Sequence, residues 1–274
     1  GEGAACIDGR LFYRRPCIGR NQSYRTCIFK REGGTKLKKY IAAITLITIA
    51  LSGMHTVFAD DITADVLTYN GKTKVVTADG NVIINGNDGA TIKGEHGAYH
   101  FIDRSAWIAG NVSYSKASTR ITAERLELYS DKTIQGIGNV VYHDGAMNRT
   151  LQGDAVSYNT ESGDSNIQGN GYLSTSEGEV RAPHIWGNLK EIQIRGEGGV
   201  HIHSEVNQIT AYGDTAIYTK TPNQNNGVLY LRGNATAHQR GNSFSGPELV
   251  LKDEEQIVET NGRSTLVITN SEGF

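Results

Sequence analysis

A repeat of about 30 residues fills most of the chain and limits what it can fold into. In each copy an apolar residue, or alanine once, is followed two positions later by Ala or Gly and then by an acid or a proline. The seven segments begin at Ile62, Ile92, Ile121, Leu151, Val180, Ala211 and Phe244. Since repeated units bury their apolar faces against neighbouring units, the pattern predicts an elongated stack rather than a globule with one centre.

A second column follows about 18 residues later in each copy and reads Gly-Asn in five of the seven. The column comprises Gly80-Asn81, Gly110-Asn111, Gly138-Asn139, Gly169-Asn170, Gly233-Asn234 and the looser Gly198-Gly199 and Gly262-Arg263. Alternating apolar residues surround it, as expected for a strand. We therefore interpret the column as close packing of stacked strands, not as a phosphate-binding loop.

The first strand of each copy changes the parity of its apolar residues. Ile62 and Ala64 share one face, whereas Leu67 and Tyr69 fall on the opposite parity. A strand keeps one face inward across such a change only if a residue is skipped, so we predict a bulge or bend in each first strand at the Ala/Gly–acid step, with the acid or proline pointing outward. The sequence thus predicts about fourteen strands in seven two-stranded units, and no helix between residues 60 and 274.

The N-terminal sixty residues differ from the repeats. Residues 1–59 hold 10 Lys/Arg against 3 Asp/Glu and contain all three cysteines, whereas residues 60–274 hold 17 against 26. Basic residues before a twelve-residue apolar run, and Ala59 after it, predict a signal peptide over 36–59 that is cleaved after Ala59. We expect residues 1–35 to be an over-extended gene model or a disordered leader, and residues 60–274 to form a single repeat domain in the periplasm.

No catalytic constellation emerges from the repeats. The pair His201 and His203 lacks a third ligand at a fixed spacing, and His96 and His100 are no better placed, so we expect no metal and no cofactor. Nucleophile-elbow, P-loop and dinucleotide fingerprints are absent from the sequence, and the acids recur one per repeat. The net negative charge after residue 59 argues against a nucleic-acid partner. We expect a protein that is not an enzyme.

The repeat resembles the OstA-like family. The first-strand pattern and the Gly-Asn-Val column carry the resemblance over about residues 60–270. The family includes the periplasmic lipopolysaccharide-transport protein LptA, the membrane-anchored LptC and the N-terminal domain of the outer-membrane translocon LptD. The cleavable signal and the lack of a long barrel-forming region favour the LptA-like type. The resemblance implies an all-β antiparallel jelly-roll that is open at both ends and has an apolar groove for lipopolysaccharide acyl chains.

The resemblance also implies partners and a set of groove residues. The partners would be an LptC-like inner-membrane protein and an LptD-like translocon, joined by edge-strand pairing, and further copies joined head to tail. Inward positions would line the lipid groove: Ile62, Leu67, Tyr69, Val82, Ile92, Tyr99, Phe101, Ile108, Val112, Ile121, Leu126, Leu128, Val140, Leu151, Val156, Tyr158 and Val200.

Three alternatives remain open from the sequence. One is a secreted structural or adhesive β-solenoid whose inward residues only fill a dry core. Another is an LptC-like member of the same family. A carbohydrate-active β-helix enzyme is the third, and it would need clustered acids in a cleft.

Overall fold

The computed structural model describes residues 57–86 and 89–269, with backbone alone for 57–60, and the backbone of five short strands before them. Most of the predicted leader and most of the predicted signal peptide therefore lie outside the described residues. The chain divides into units of residues 1–44 and 45–274. In the first unit, β1 (Ala4–Ile7) pairs with β2 (Arg10–Tyr13), and β3 (Pro16–Cys17) pairs with β4 (Arg25–Thr26).

The second unit is one antiparallel sheet in which strands pair in chain order. After β5 (Thr48–Ile49), its strands are β6 (Val57–Thr63), β7 (Val66–Asn70), β8 (Val75–Gly86), β9 (Thr91–His100), β10 (Ala106–Lys116), β11 (Thr119–Leu128), β12 (Thr133–Asp144), β13 (Arg149–Asn159), β14 (Asp164–Thr175), β15 (Gly178–Asn188), β16 (Gln193–Ser204), β17 (Ile209–Thr219), β18 (Val228–Gln239), β19 (Asn242–Lys252), β20 (Ile257–Asn261) and β21 (Thr265–Val267). The predicted all-β antiparallel repeat fold is confirmed. Among the described residues no helix is long and apolar enough to cross a membrane.

Near each end of the sheet one strand is broken in two. Strands β6 and β7 both pair with β8, and β20 and β21 both pair with β19. The first break falls at residues 64–65, the Ala/Gly–acid step where a bend was predicted, and the second falls at residues 262–264, in the Gly-Asn column. Counting each broken pair as one strand gives the predicted fourteen.

The bend follows the Gly-Asn column. In β12, Ile137 pairs with Ala155 and Val140 with Gly153, so Gly138 and Asn139 together face one residue of β13. Both have positive φ, 79° for Gly138 and 46° for Asn139. Glycine and asparagine are the residues that adopt this conformation most readily, which explains the column. The prediction of a bulge in the first strand of each copy was wrong, because the extra residue belongs to the second strand.

The repeated acids point outward as predicted and are exposed, and each covers the bend from the solvent side. Glu124 covers Gly138 on the neighbouring strand, where an added methyl group would lie 2.5 Å from the carboxylate. Asn139 Nδ2 donates to Glu124 Oε1 at 3.2 Å, and Asn81 Nδ2 donates to Asp65 Oδ2 at 2.9 Å. The same bond recurs in the remaining Gly-Asn copies: Asn111 to Glu95, Asn170 to Asp154 and Asn234 to Asp214.

In the two copies that have proline in place of the acid, the asparagine of the Gly-Asn column is also missing. Pro183 stacks over Gly198, and Pro247 stacks over Gly262. In these copies the partner column reads Gly198-Gly199 and Gly262-Arg263, without asparagine. A proline ring offers no acceptor to an asparagine amide, so the two columns change together for a chemical reason.

The bend folds the sheet over its own core. Gly136 and Val140 are four residues apart on β12, a separation of about 13 Å in an extended strand. A methyl group at Gly136 would nevertheless lie 2.7 Å from Val140 Cγ1. One continuous cluster of buried apolar side chains runs between the two halves of the folded strands, from Ala78 in β8 to Leu251 in β19.

Candidate functional site

The N-terminal half of the core encloses an apolar cavity of about 70 Å³, which we call the N-terminal cavity. Strands β8–β12 supply most of its wall, because their alternate residues point inward on both sides of the bend. The wall includes Ile92, Ile108 and Leu126, and its one charged residue is Glu127. Such a wall accommodates hydrocarbon and offers little to a polar ligand.

Eight of the predicted groove residues line this cavity: Ile62, Val82, Ile92, Tyr99, Ile108, Ile121, Leu126 and Leu128. Five others are buried in the core away from it: Val112, Val140, Leu151, Val156 and Val200. Tyr158 and Phe101 are partly buried against the same core.

Two predicted groove residues lie elsewhere. Leu67 is 36% exposed and Tyr69 is 44% exposed, both on the edge strand β7. Tyr69 packs edge-to-face on Phe101 at 6.0 Å between ring centroids, and Phe101 packs in the same way on Tyr99 at 4.9 Å. The three rings connect the exposed edge of the sheet to the wall of the N-terminal cavity.

A larger cavity of about 200 Å³ lies in the C-terminal half, and we call it the C-terminal cavity. Its inner wall is apolar and includes Leu173, Ile194, Ile202, Ile209, Leu229 and Leu251. None of the predicted groove residues lines it. The alternation of apolar residues in β16–β19 was a signal for this wall, but the predicted groove residues extend only as far as Val200.

Charged side chains meet at the rim of the C-terminal cavity. Glu177 lies in the β14–β15 turn. Its carboxylate forms an ion pair with Lys220 and accepts a hydrogen bond from Lys220 Nζ. Tyr218 Oη donates to Glu177 Oε2 at 3.2 Å. Asp253 also lines the cavity and lies beside the Tyr218 hydroxyl, near Gly227. We call Glu177, Tyr218, Lys220 and Asp253 the rim cluster.

The rim cluster joins opposite ends of the strands. The register places Thr219 opposite Gln193, and Gln193 opposite Asn188, which ends β15. Gly178 begins β15, about 33 Å away if the strand were straight. Glu177 and Lys220 touch only because the sheet is folded at the bend, so their ion pair holds the two halves together over the cavity.

Burial shifts the titration of two members of the rim cluster. Desolvation raises the pKa of Asp253 above its ordinary value, although the Lys220 charge opposes the shift. The pKa of the Tyr218 hydroxyl is also raised, mainly by burial and then by the negative charge of Glu177. Burial favours the uncharged form of both groups, so both keep a proton to donate over a wider pH range than in water.

The histidines considered as metal ligands have other contacts. His201 stacks on Tyr212 at 4.5 Å, and His203 Nδ1 bonds to Thr210 Oγ1 at 3.0 Å. His96 pairs with Asp79, and His100 lies 3.3 Å from Asp103. In the part of the chain that the structure describes, no group of three or more His, Cys, Asp or Glu side chains could hold a metal ion.

Residues 91–193 match the model of a protein family described as LptA/(LptD N-terminal domain) LPS transport protein. The matched range runs from β9 to the first residue of β16 and contains most of the wall of the N-terminal cavity. No curated protein matches the chain.

Among solved structures, the chain is similar to LptH of Pseudomonas aeruginosa, described as the LptA homologous periplasmic component of the conserved lipopolysaccharide transport device. The TM-score is 0.39 and the sequence identity 19%. The likeness covers 46% of this chain and 99% of LptH.

Proposed function

We propose that this chain, an OstA-like protein related to LptA with a role in lipopolysaccharide transport, binds lipopolysaccharide acyl chains inside its folded sheet. It would carry the lipid, or bridge its path, through the periplasm from the inner to the outer membrane. The observation that carries the proposal is the apolar N-terminal cavity, whose wall lies mostly within the family-matched range. No step in this role requires a bond to be made or broken, which fits a family of transport proteins.

The energetics favour acyl chains as the part of the lipid that is held. Each CH₂ group moved from water into the apolar wall contributes about 0.8 kcal/mol. Sugars and phosphates would lose hydration without finding partners there, because Glu127 is the one charged lining residue. The chains therefore enter the fold while the polar part of the lipid stays in water.

The cavity volumes imply that loading moves the sheet. Ligand pockets usually measure about 300–1,000 Å³, whereas the two cavities measure about 70 and 200 Å³. Long chains fit only if the two halves of the sheet separate along the bend. Separation exposes core surface that the lipid covers again, so binding and opening are coupled.

The edges of the sheet support assembly by strand addition. The edge strand β7 exposes Val66, Leu67 and Tyr69, and Leu266 and Val267 of β21 are about half exposed at the other edge. Unpaired edge strands with apolar side chains pair readily with strands of another protein. We propose that an LptC-like inner-membrane protein, an LptD-like translocon or a second copy of this chain pairs there.

Photocrosslinking in cells tests lipid binding directly. A photoreactive residue at Leu126, in the cavity wall, should capture lipopolysaccharide, whereas one at Ile102, which is 71% exposed in a turn, should not. Capture at Leu126 alone supports the proposal. Absence of capture at Leu126 in correctly folded, exported protein would leave the inward residues as a dry core and favour a structural role.

A further inference from the structure

The C-terminal cavity combines an apolar interior with a polar rim, and the N-terminal cavity does not. The interior presents Leu229, Leu251 and Ile202, while Thr175, Ser176, Ser204 and Asn207 also border the cavity beside the rim cluster. Apolar depth with convergent hydrogen-bonding groups at one end is the arrangement that binds an amphiphile by its tail and orients its head.

Charges at the rim are nearly balanced already. Lys220 and Arg149 stand against the carboxylates of Glu177, Glu179 and Asp253. Arg181 also pairs with Glu179 at 3.7 Å, so the cations beside the rim match the carboxylates in number. A charged head group would therefore bring an uncompensated charge to a partly desolvated site, and this is costly.

An uncharged head group finds both donors and acceptors here. The Tyr218 hydroxyl and the Lys220 ammonium donate, and the carboxylate of Glu177 accepts. The Ser204 hydroxyl donates to the carbonyl oxygen of Glu177 and accepts from the Asn207 amide at 3.2 Å. Hydroxyl and ester groups exchange partners with such a set without leaving a buried charge unpaired.

We propose that the C-terminal cavity is a second binding site, separate from the N-terminal cavity, for a single alkyl chain that ends in an uncharged, hydrogen-bonding head group. The tail lies against Leu229 and Leu251, and the head replaces part of the hydrogen bonding of the rim cluster. This inference goes beyond the proposed function, because a simple amphiphile with no saccharide or phosphate should bind.

Methyl NMR of the full folded domain tests the site with defined probes. Monododecanoyl glycerol, added below its micelle concentration, should produce saturable shifts at the methyl groups of Ile202, Leu229 and Leu251. Dodecanoate and dodecylammonium, with the same tail and opposite charges, should bind at least about tenfold more weakly. Shifts confined to the N-terminal cavity, or equal affinity for a charged probe, would overturn the proposal.

Cavity-filling variants locate the probe. Leu251→Phe should weaken monododecanoyl glycerol binding at least about tenfold, and Leu128→Phe, in the wall of the N-terminal cavity, should leave it unchanged. Leu229→Phe serves as a second filling variant if Leu251→Phe does not fold. Full binding by a folded filling variant contradicts the site. Capture of lipopolysaccharide at Leu126 is a separate measurement, so failure here and failure of the proposed function are distinguishable.

Discussion

The two cavities of this sheet are built from the same repeat and differ in chemistry. The N-terminal cavity measures about 70 Å³ and has one charged residue in its wall. The C-terminal cavity measures about 200 Å³, and its rim cluster joins strand ends that lie far apart along the chain. A repeat therefore fixes where apolar residues point, while the turns between strands decide what stands at the mouth of the space they enclose.

The difference also separates two ways of holding the folded sheet closed. Around the N-terminal cavity the halves are held by the packing of inward side chains, which is not directional. At the C-terminal cavity packing is supplemented by an ion pair between Glu177 and Lys220, whose geometry is specific. Opening the C-terminal end must break that pair before it exposes apolar surface.

The largest expected change in the free energy of unfolding comes from a variant in the core that connects the two cavities. Val140 is 3% exposed and its neighbour Val141 is 37% exposed. Val140→Asp should cost about 3–5 kcal/mol in the free energy of unfolding, because it leaves a buried charge without a partner. Val141→Asp should change that energy by about 0.5 kcal/mol or less. Urea titration measures both, and similar midpoints for the two variants would refute the inward assignment.

A second pair of variants compares a fully packed core residue with a residue that lines a cavity. Leu231 is fully buried, whereas Leu229, two residues earlier on β18, lines the C-terminal cavity. Leu231→Ala should cost about 3–5 kcal/mol, and Leu229→Ala about 2–3 kcal/mol, because the loss grows with the contacts removed. Chemical unfolding of the two variants checks the order. A greater loss for Leu229→Ala would mean that the cavity is filled or collapsed in solution.

Removing the ion pair at the rim should lower the free energy of unfolding less than removing a core side chain does, but more than removing an exposed ion pair does. Lys220 is 13% exposed in its side chain, and Lys252, which pairs with Glu259, is 30% exposed. Lys220→Met should cost about 1–2 kcal/mol, since it leaves Glu177 without its cation. Lys252→Met should shift the unfolding midpoint much less, because exposed ion pairs contribute little to stability. Equal unfolding midpoints for the two variants would show that the rim cluster does not hold the sheet closed.

The smallest expected effect is on the pH dependence of stability, which should differ between a residue beside the C-terminal cavity and one beside the N-terminal cavity. The pKa of Asp253 is raised by burial, so the native state binds its proton more tightly and stability falls as pH rises above the ordinary aspartate range. Asp253→Asn removes that loss, and we expect the variant to gain stability relative to the wild type between pH 4 and pH 7.

Glu127, beside the N-terminal cavity, provides the control of opposite sign. Hydrogen bonds from Tyr129 and then Arg125 lower its pKa, so its stabilisation is present above the ordinary glutamate pKa and is lost as pH falls. Glu127→Gln should therefore lose stability relative to the wild type between pH 4 and pH 7. Thermal unfolding at the two pH values measures both variants, and the same sign for both would contradict the assignment.

The sequence predicted the bend but placed its extra residue on the wrong strand. The parity change around Glu124 is real, since Ala123 and Leu126 are both buried. Parity alone does not tell which of two paired strands has the extra residue. Positive φ at Gly138 and Asn139 settles it, and the Gly-Asn composition of the column was the signal that could have shown it.

Residues that line a cavity were predicted more completely in the N-terminal half than in the C-terminal half. Ile92, Ile108 and Leu126 line a cavity as the alternation of apolar residues indicates. Leu67 and Tyr69 have the same alternation. They are exposed because they lie on an edge strand, which has a neighbouring strand on one side only. Alternation assigns a side chain to a face, and only its position in the sheet decides whether that face is covered.

The repeat, the antiparallel all-β sheet and the line along which the sheet bends could be predicted from the amino-acid pattern, because they depend on residues close together in the chain or on similar copies. The contacts that the bend creates could not be predicted in this way. Glu177 and Lys220 are 43 residues apart and lie at opposite ends of their strands, and no local pattern links them. Their meeting depends on how far the sheet folds over its core, a property of the packing of all the repeats together.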